Sequence, residues 1–327
     1  MKRSSRIRIG SWVAGTVVMA SLLLPPPCRA VEGFDLRAAE AEANSGNAKA
    51  CYSLGKRYLK GEGVPRDHDR AAEYIKRAAE KGLAFAQNDL ASFYARGLGV
   101  PRDYELAVKW YLKAAENGDS LAQYSLGRVF QMGRGLPLDL NKALVWFKKA
   151  ASRNQPEAMV ALGQLLISGG EGVQTDYRMA GKWLKKAARG GRMDALNSLG
   201  FIYETGGHGI HQDLRRANGC YSKAAQAGEP IAQMNLGRMF RDGQGCKTDL
   251  VEACKWFLLA AQTGDGAAQH YLNELQGANA NGVVLVGAAE MAEASRRASS
   301  FIPRTTALKG PAAPRNPSRR SELNIRT

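Results

Sequence analysis

The chain is poor in the residues that usually carry chemistry. It has four histidines and five cysteines in 327 residues. A structural zinc site needs four ligands at matched spacing. The one close pair, His208 and His211 in "HGIH" with Asp213 nearby, has no second pair to complete such a set, so no metal is expected. No nucleophile elbow, phosphate-binding loop or metalloprotease string occurs. These absences read as a protein that is not an enzyme and needs no cofactor. Beyond residue 30 there is also no apolar run long enough to cross a hydrocarbon core of about 30 Å.

The first thirty residues differ from the rest. "MKRSSRIRIG" carries Lys2, Arg3, Arg6 and Arg8 without an acid, "SWVAGTVVMASLLL" is apolar, and "PPPCRA" ends on the small Ala30. A basic start, a short apolar centre and a small-residue exit describe a secretory signal peptide. The expectation is a leader over 1–30, cleavage near Ala30 and a periplasmic or secreted product without a membrane span. Losing the leader lowers the formal charge from +16 to +11.

Most of the remaining chain says one thing six times. A Leu-small pair stands at Leu54-Gly55, Leu90-Ala91, Leu126-Gly127, Leu162-Gly163, Leu199-Gly200 and Leu236-Gly237. An Ala-Ala pair closes each unit, from Ala78-Ala79 to Ala260-Ala261, at spacings of 36 or 37. Between these landmarks come a Gly-x-Gly in four units (61–63, 97–99, 133–135, 243–245) and an aspartate in all six: Asp67, Asp103, Asp139, Asp176, Asp213 and Asp249.

Each column has a physical reason. The apolar positions of "ACYSLGKRYL" and "AVKWYLKAA" recur at helical spacing. Glycine closes a first helix with a left-handed residue, and Pro65, Pro101 and Pro137 forbid its continuation. The aspartate precedes the second helix, where a carboxylate accepts from free N–H groups. An aromatic column (Tyr74, Trp110, Trp146, Trp183, Cys220, Trp256) reads as core, because burying one Trp removes ~150–250 Å² from water. A helical hairpin cannot bury its apolar face alone, so hairpins must stack.

The string Leu-Gly-x-x-Tyr, Gly-x-Gly-Val-x-x-Asp, Ala-x-x-Trp-Tyr-x-Lys-Ala-Ala resembles the Sel-one-like repeat (SLR), a relative of the tetratricopeptide repeat. The resemblance implies an all-α fold: a right-handed α/α solenoid of about six helical-hairpin repeats with half-repeat caps. On this reading 31–46 is an N-terminal capping helix, 47–276 the repeat array, and 277–327 a basic, largely disordered tail. The tail carries eight basic and three acidic residues. Its composition cannot bury enough apolar surface to fold alone. In an exported chain it suits either contact with a polyanion, and not with nucleic acid, or a solvated linker with no specific partner.

Such arrays usually bind proteins on a concave surface. In tetratricopeptide relatives the first helices line it, which implies one column of Tyr52, Asn88, Tyr124, Val160, Asn197 and Met234. A second column is Lys56, Ser92, Arg128, Gln164, Phe201 and Arg238. Tyr52, Lys56, Asn88, Tyr124, Arg128, Asn197, Phe201 and Arg238 are the candidate partner-binding residues. Some exported SLR proteins bind the sensing domain of a membrane histidine kinase and restrain exopolysaccharide production. The leading expectation is therefore an envelope adaptor or regulator. Alternatives are a scaffold for cell-wall or polysaccharide assembly, and a weak β-lactam-binding or hydrolysing enzyme, which needs a Ser-x-x-Lys string that is expected to be missing from the repeats. Of the four cysteines after the leader, Cys246 and Cys254 fall in one unit and are the candidate disulfide.

Overall fold

The structure, a computed structural model, describes residues 34–264, 266–277 and 284–303. The expected leader and residues 304–327 of the tail lie outside them. The described residues form fifteen helices and no strand. After α1 (Leu36–Asn44) come six hairpins. These are α2 (Ala48–Lys60) with α3 (His68–Glu80), α4 (Ala84–Arg96) with α5 (Tyr104–Glu116), and α6 (Ser120–Met132) with α7 (Leu140–Ser152). They continue with α8 (Pro156–Ser168) and α9 (Tyr177–Arg189), α10 (Met193–Thr205) and α11 (Leu214–Gln226), and α12 (Pro230–Asp242) and α13 (Leu250–Ala261). Two further helices, α14 (Gly266–Gln276) and α15 (Ala288–Ser299), close the described chain. In each hairpin the two helices pack on each other, and the second also packs on the first helix of the next unit, as the repeat pattern requires.

The aspartate column joins the two helices of every unit. Asp103 donates its backbone N–H to the Tyr94 carbonyl of α4 at 2.9 Å, while its carboxylate accepts from the Leu106 N–H of α5 at 2.9 Å. Asp139 and Asp249 repeat this arrangement with Phe130 and Phe240. The paired glycines have separate duties. Gly97 closes α4 in the left-handed region at φ 69°. A Cβ on Gly99 would lie 2.0 Å from the His68 carbonyl oxygen, so the second glycine lets the loop approach the preceding hairpin. In the fourth and fifth units the extra loop residue closes differently, through paired backbone bonds between Gly170 and Val173 and between Gly207 and Ile210.

A glutamine column unforeseen in the sequence joins one unit to the next. Gln87, Gln123 and Gln233 are buried, and each amide donates to the last-turn carbonyl of the preceding second helix: Ala79, Ala115 and Ala225, at 3.1, 3.0 and 3.3 Å.

The ends are covered. α1 rests on α2 with Ala43 fully buried. At the other end the description of 277–327 as a largely disordered tail needs correction for residues 284–303. Val286 is buried and donates to the Leu275 carbonyl, and α15 packs on α13. Arg297 reaches Glu252 at 2.7 Å, and Phe301 stands edge-on to Trp256 at 5.5 Å. These residues could not bury enough surface alone, and α13 supplies the missing partner. The same contact divides the aromatic column. Trp256 under Phe301 is 4% exposed, whereas Trp110, Trp146 and Trp183 are half-buried; all four have a lysine ammonium over the ring.

The expected Cys246–Cys254 bridge is absent, and all four described cysteines are free. Cys254 is fully buried on α13, in the core shared with α14 and α15. Cys246 stays in the hairpin loop and donates to the Met239 carbonyl at 3.4 Å.

Candidate interaction surface

Successive first helices touch one another, α4 with α6, α8 with α10 and α10 with α12, while successive second helices do not pack comparably. This places the first helices on the inner side of the bend. The candidate residues all lie on them, but the structure assigns them different fates.

Several are spent on neighbouring units. Lys56 sits 3.0 Å from Asp89, which also accepts the Tyr52 hydroxyl at 2.9 Å. Tyr52 packs edge-on to Phe85, and burial, followed by the Asp89 charge, pushes its phenol well above the ordinary range. Arg238 pairs with Glu204 at 3.3 Å, and the other oxygen of that carboxylate takes the Tyr221 hydroxyl at 2.7 Å. Asn197 accepts from the Asn235 amide at 3.0 Å. Asn88, expected at the surface, is buried, as is Val160. Their position lies between adjacent first helices, where the long Tyr52 and Tyr124 reach out and short side chains stay beneath. The polar group that emerges in the second unit is Asp89, one residue on. Phe201 is exposed and stands edge-on to Tyr177, which also meets His208.

Tyr124 and Arg128 come together in a different setting. The junction of the second and third units has no ion pair across it and opens into a cleft of about 290 Å³. Tyr104 and Tyr111 from α5, Tyr124 and Met132 from α6, and apolar Val108 and Val129 form its walls. Arg96, Arg128 and Arg134 line it too, and no acidic residue does. None of these three guanidinium groups is in a salt bridge among the described residues. Arg128 has only the Met132 sulfur, at 3.9 Å. Burial raises the phenol of Tyr111 at the base. The cleft thus offers aromatic and aliphatic surface under uncompensated positive charge.

Arg96, Tyr104, Met132 and Arg134 were missed because they occupy helix ends and the hairpin loop, positions read only as punctuation. The run "GRG" at 133–135 was the available signal: it holds a charged residue between two glycines that present it.

Other chemistry finds little support. Among the described residues no group of three or more His, Cys, Asp or Glu side chains could hold a metal ion. Ser-x-x-Lys, expected to be missing from the repeats, does occur once, as Ser53-Leu54-Gly55-Lys56 on α2. Its lysine is the one paired with Asp89 at 3.0 Å.

A family model of the Sel1 repeat matches residues 48–83, 84–119, 120–155, 156–191, 194–229 and 230–265. Among solved structures, the chain is similar to c5321, a protective antigen present in uropathogenic Escherichia coli strains that displays an SLR fold. The identity is 32% and the TM-score 0.69, over 81% of this chain and 56% of that one. It is also similar to a Sel1 repeat protein from Oxalobacter formigenes, at 28% identity and a TM-score of 0.65, over 76% of this chain and 96% of that one. No curated protein matches the chain.

Proposed function

The chain belongs to the Sel1-repeat family, and from that premise we propose that it is an exported adaptor that holds a segment of an envelope protein in the cleft between α4, α5 and α6. The observation that carries this reading is the set of three unpaired arginines around an aromatic-walled cleft. Three other inner-face cations are paired: Lys56 with Asp89, Arg192 with Glu157 and Arg238 with Glu204. An interface gains most from a central apolar anchor in a pocket, flanked by charges that find partners. The segment that fits is extended and acidic, with an aromatic or aliphatic side chain to fill the cleft. Arginine favours such partners because its planar fork binds carboxylates in pairs. Export rests on the basic, apolar and small-residue order of residues 1–30. The sensing domain of a membrane kinase is one class of partner that would present such a segment outside the cytoplasm.

The experiment is site-specific photocrosslinking in intact cells from position 132, at the cleft rim. Position 148, on the outer face, serves as control. The reading expects one dominant envelope protein crosslinked from 132 and not from 148, through an acidic segment. No specific adduct from 132, or the same adduct from both positions, overturns it. Cell fractionation that recovers an unprocessed cytoplasmic chain overturns the export half alone.

A further inference from the structure

The second helices form the outer side of the bend, and three consecutive ones carry charge of a single sign. α7, α9 and α11 contain no aspartate or glutamate. They contribute three, five and three Lys or Arg, and all eleven are exposed. The earlier second helices differ: α3 includes Asp69, Glu73 and Glu80, and α5 includes Glu105 and Glu116. The excess is therefore not a property of the repeat itself.

Helix stability does not account for it. Cations in a last turn suit the negative end of the helix dipole, but Lys142, Arg178, Arg215 and Arg216 stand in first turns, where the dipole disfavours them. Lys142 and Arg216 are offset by the capping Asp139 and Asp213, at 3.2 Å each. The other nine are in no salt bridge among the described residues. The patch is also continuous across helices. Lys185 of α9 and Arg216 of α11 both lie 5.8 Å from the Tyr203 ring, and Arg178 reaches the Gly209 carbonyl of the next hairpin at 3.5 Å.

We propose that the outer face of α7, α9 and α11 docks on a membrane surface rich in anionic lipid headgroups. Three features favour a bilayer over a linear polyanion. The charges form a two-dimensional field over three successive second helices, on a convex surface rather than in a groove. A convex array meets a plane along just such a few successive helices. Apolar side chains stand exposed among the cations: Val145 on α7 at 51% and Met179 on α9 at 39%. Basic residues interspersed with exposed apolar ones suit the headgroup boundary. Trp146 and Trp183, which could stack on bases or sugars, are half-buried with Lys149 and Lys186 over their rings. With this face on the membrane, the first-helix side points away from it and stays open to a partner.

The test is co-sedimentation of the full chain with vesicles of phosphatidylcholine alone and of phosphatidylcholine mixed with phosphatidylglycerol. The mixed vesicles should bind far more protein, and raising the salt from about 0.05 M to about 0.5 M should abolish the difference. Reversal of three charges on α9 (Lys182→Glu, Lys185→Glu, Lys186→Glu) should lower the anionic partition about a hundredfold or more. The same number of reversals at Lys76, Lys109 and Lys113 on α3 and α5 should change it little. Helical circular dichroism checks that each variant folds. If the α9 variant does not fold, neutralisation by Lys182→Gln and Lys185→Gln replaces it. Equal binding to both vesicles, or loss from both sets of reversals alike, overturns the proposal. So does binding to heparin without binding to anionic vesicles, which would assign the face to a linear polyanion.

Discussion

Gly127 of α6 lies against the ring of Phe147 of α7 so closely that a Cβ on the glycine would stand 2.5 Å from the ring's Cδ1. Phe147 is fully buried, and its ring is also tilted against Tyr124, 5.9 Å away, at the edge of the cleft. Gly127→Ala forces the ring to move in a close-packed interior, so a loss of roughly 1–3 kcal/mol is expected. Denaturant unfolding measures it. Gly82→Ala is a poor control, because that glycine has positive φ although nothing surrounds it. Gly219→Ala, in open space within α11, is a better one and should be neutral or slightly stabilising.

The cleft reading separates binding from stability. Arg128→Glu and Arg96→Glu remove no ion pair, so the melting temperature should hold while capture of an acidic segment falls tenfold or more, on the order of 1.4 kcal/mol each. Arg238→Ala should do the reverse. It leaves Glu204 with one partner fewer beneath Tyr221, lowering stability with little effect on capture. A titration of partner segment against each variant, beside its thermal melt, decides the matter. Equal losses of affinity from Arg128 and Arg238 variants would refute the assignment.

Acid should loosen the start of α7. The Lys142 backbone N–H donates to the Asp139 carboxylate and, with the Lys142 side chain, holds its pKa below the ordinary range. A carboxylate depressed in the folded state contributes stability that is present above its unfolded value, about 4. That contribution is lost as the pH falls through the folded value. Asp139→Asn keeps a capping acceptor without the titration. Its melting temperature should fall less than wild type between about pH 5 and pH 2. An identical acid response would rule out this carboxylate as a contributor.

The thiols should be quiet until the array opens. Burial pushes the Cys254 thiol up to about 11, with the Glu290 charge adding to it, and burial also raises Cys220 and Cys246. Since the thiolate is the reactive form, a thiol reagent at neutral pH should label Cys254 only in denaturant. Addition of reductant should leave the melting temperature unchanged, because no bridge is present among the described residues. A reductant-induced drop would show that a disulfide forms after all.

The covering of α13 by α15 can be read by fluorescence. Phe301→Ala removes the ring that shields Trp256 and should shift tryptophan emission to the red, with a loss of about 2–4 kcal/mol at most. Emission unchanged by the substitution would mean that α15 does not depend on this contact.

The hairpins were legible because their determinants are local and repeated. Asp103 caps α5, Gly97 ends α4 and Leu126 packs inward through rules that act within a few residues, and six copies make the pattern unmistakable. The sequence by itself therefore determined the helices, their order and the stacking. Tertiary structure decided which inner-face side chains are free. Lys56, Arg128 and Arg238 share one register position, yet only Arg128 lacks an acid, because Asp89 and Glu204 are supplied by neighbouring helices at positions that differ between units. The same dependence on a partner about 36 residues or more away hid the burial of Asn88 and the packing of α15. Local chemistry repeats along the chain, whereas the pairing of side chains across units depends on which two residues the stacking brings together.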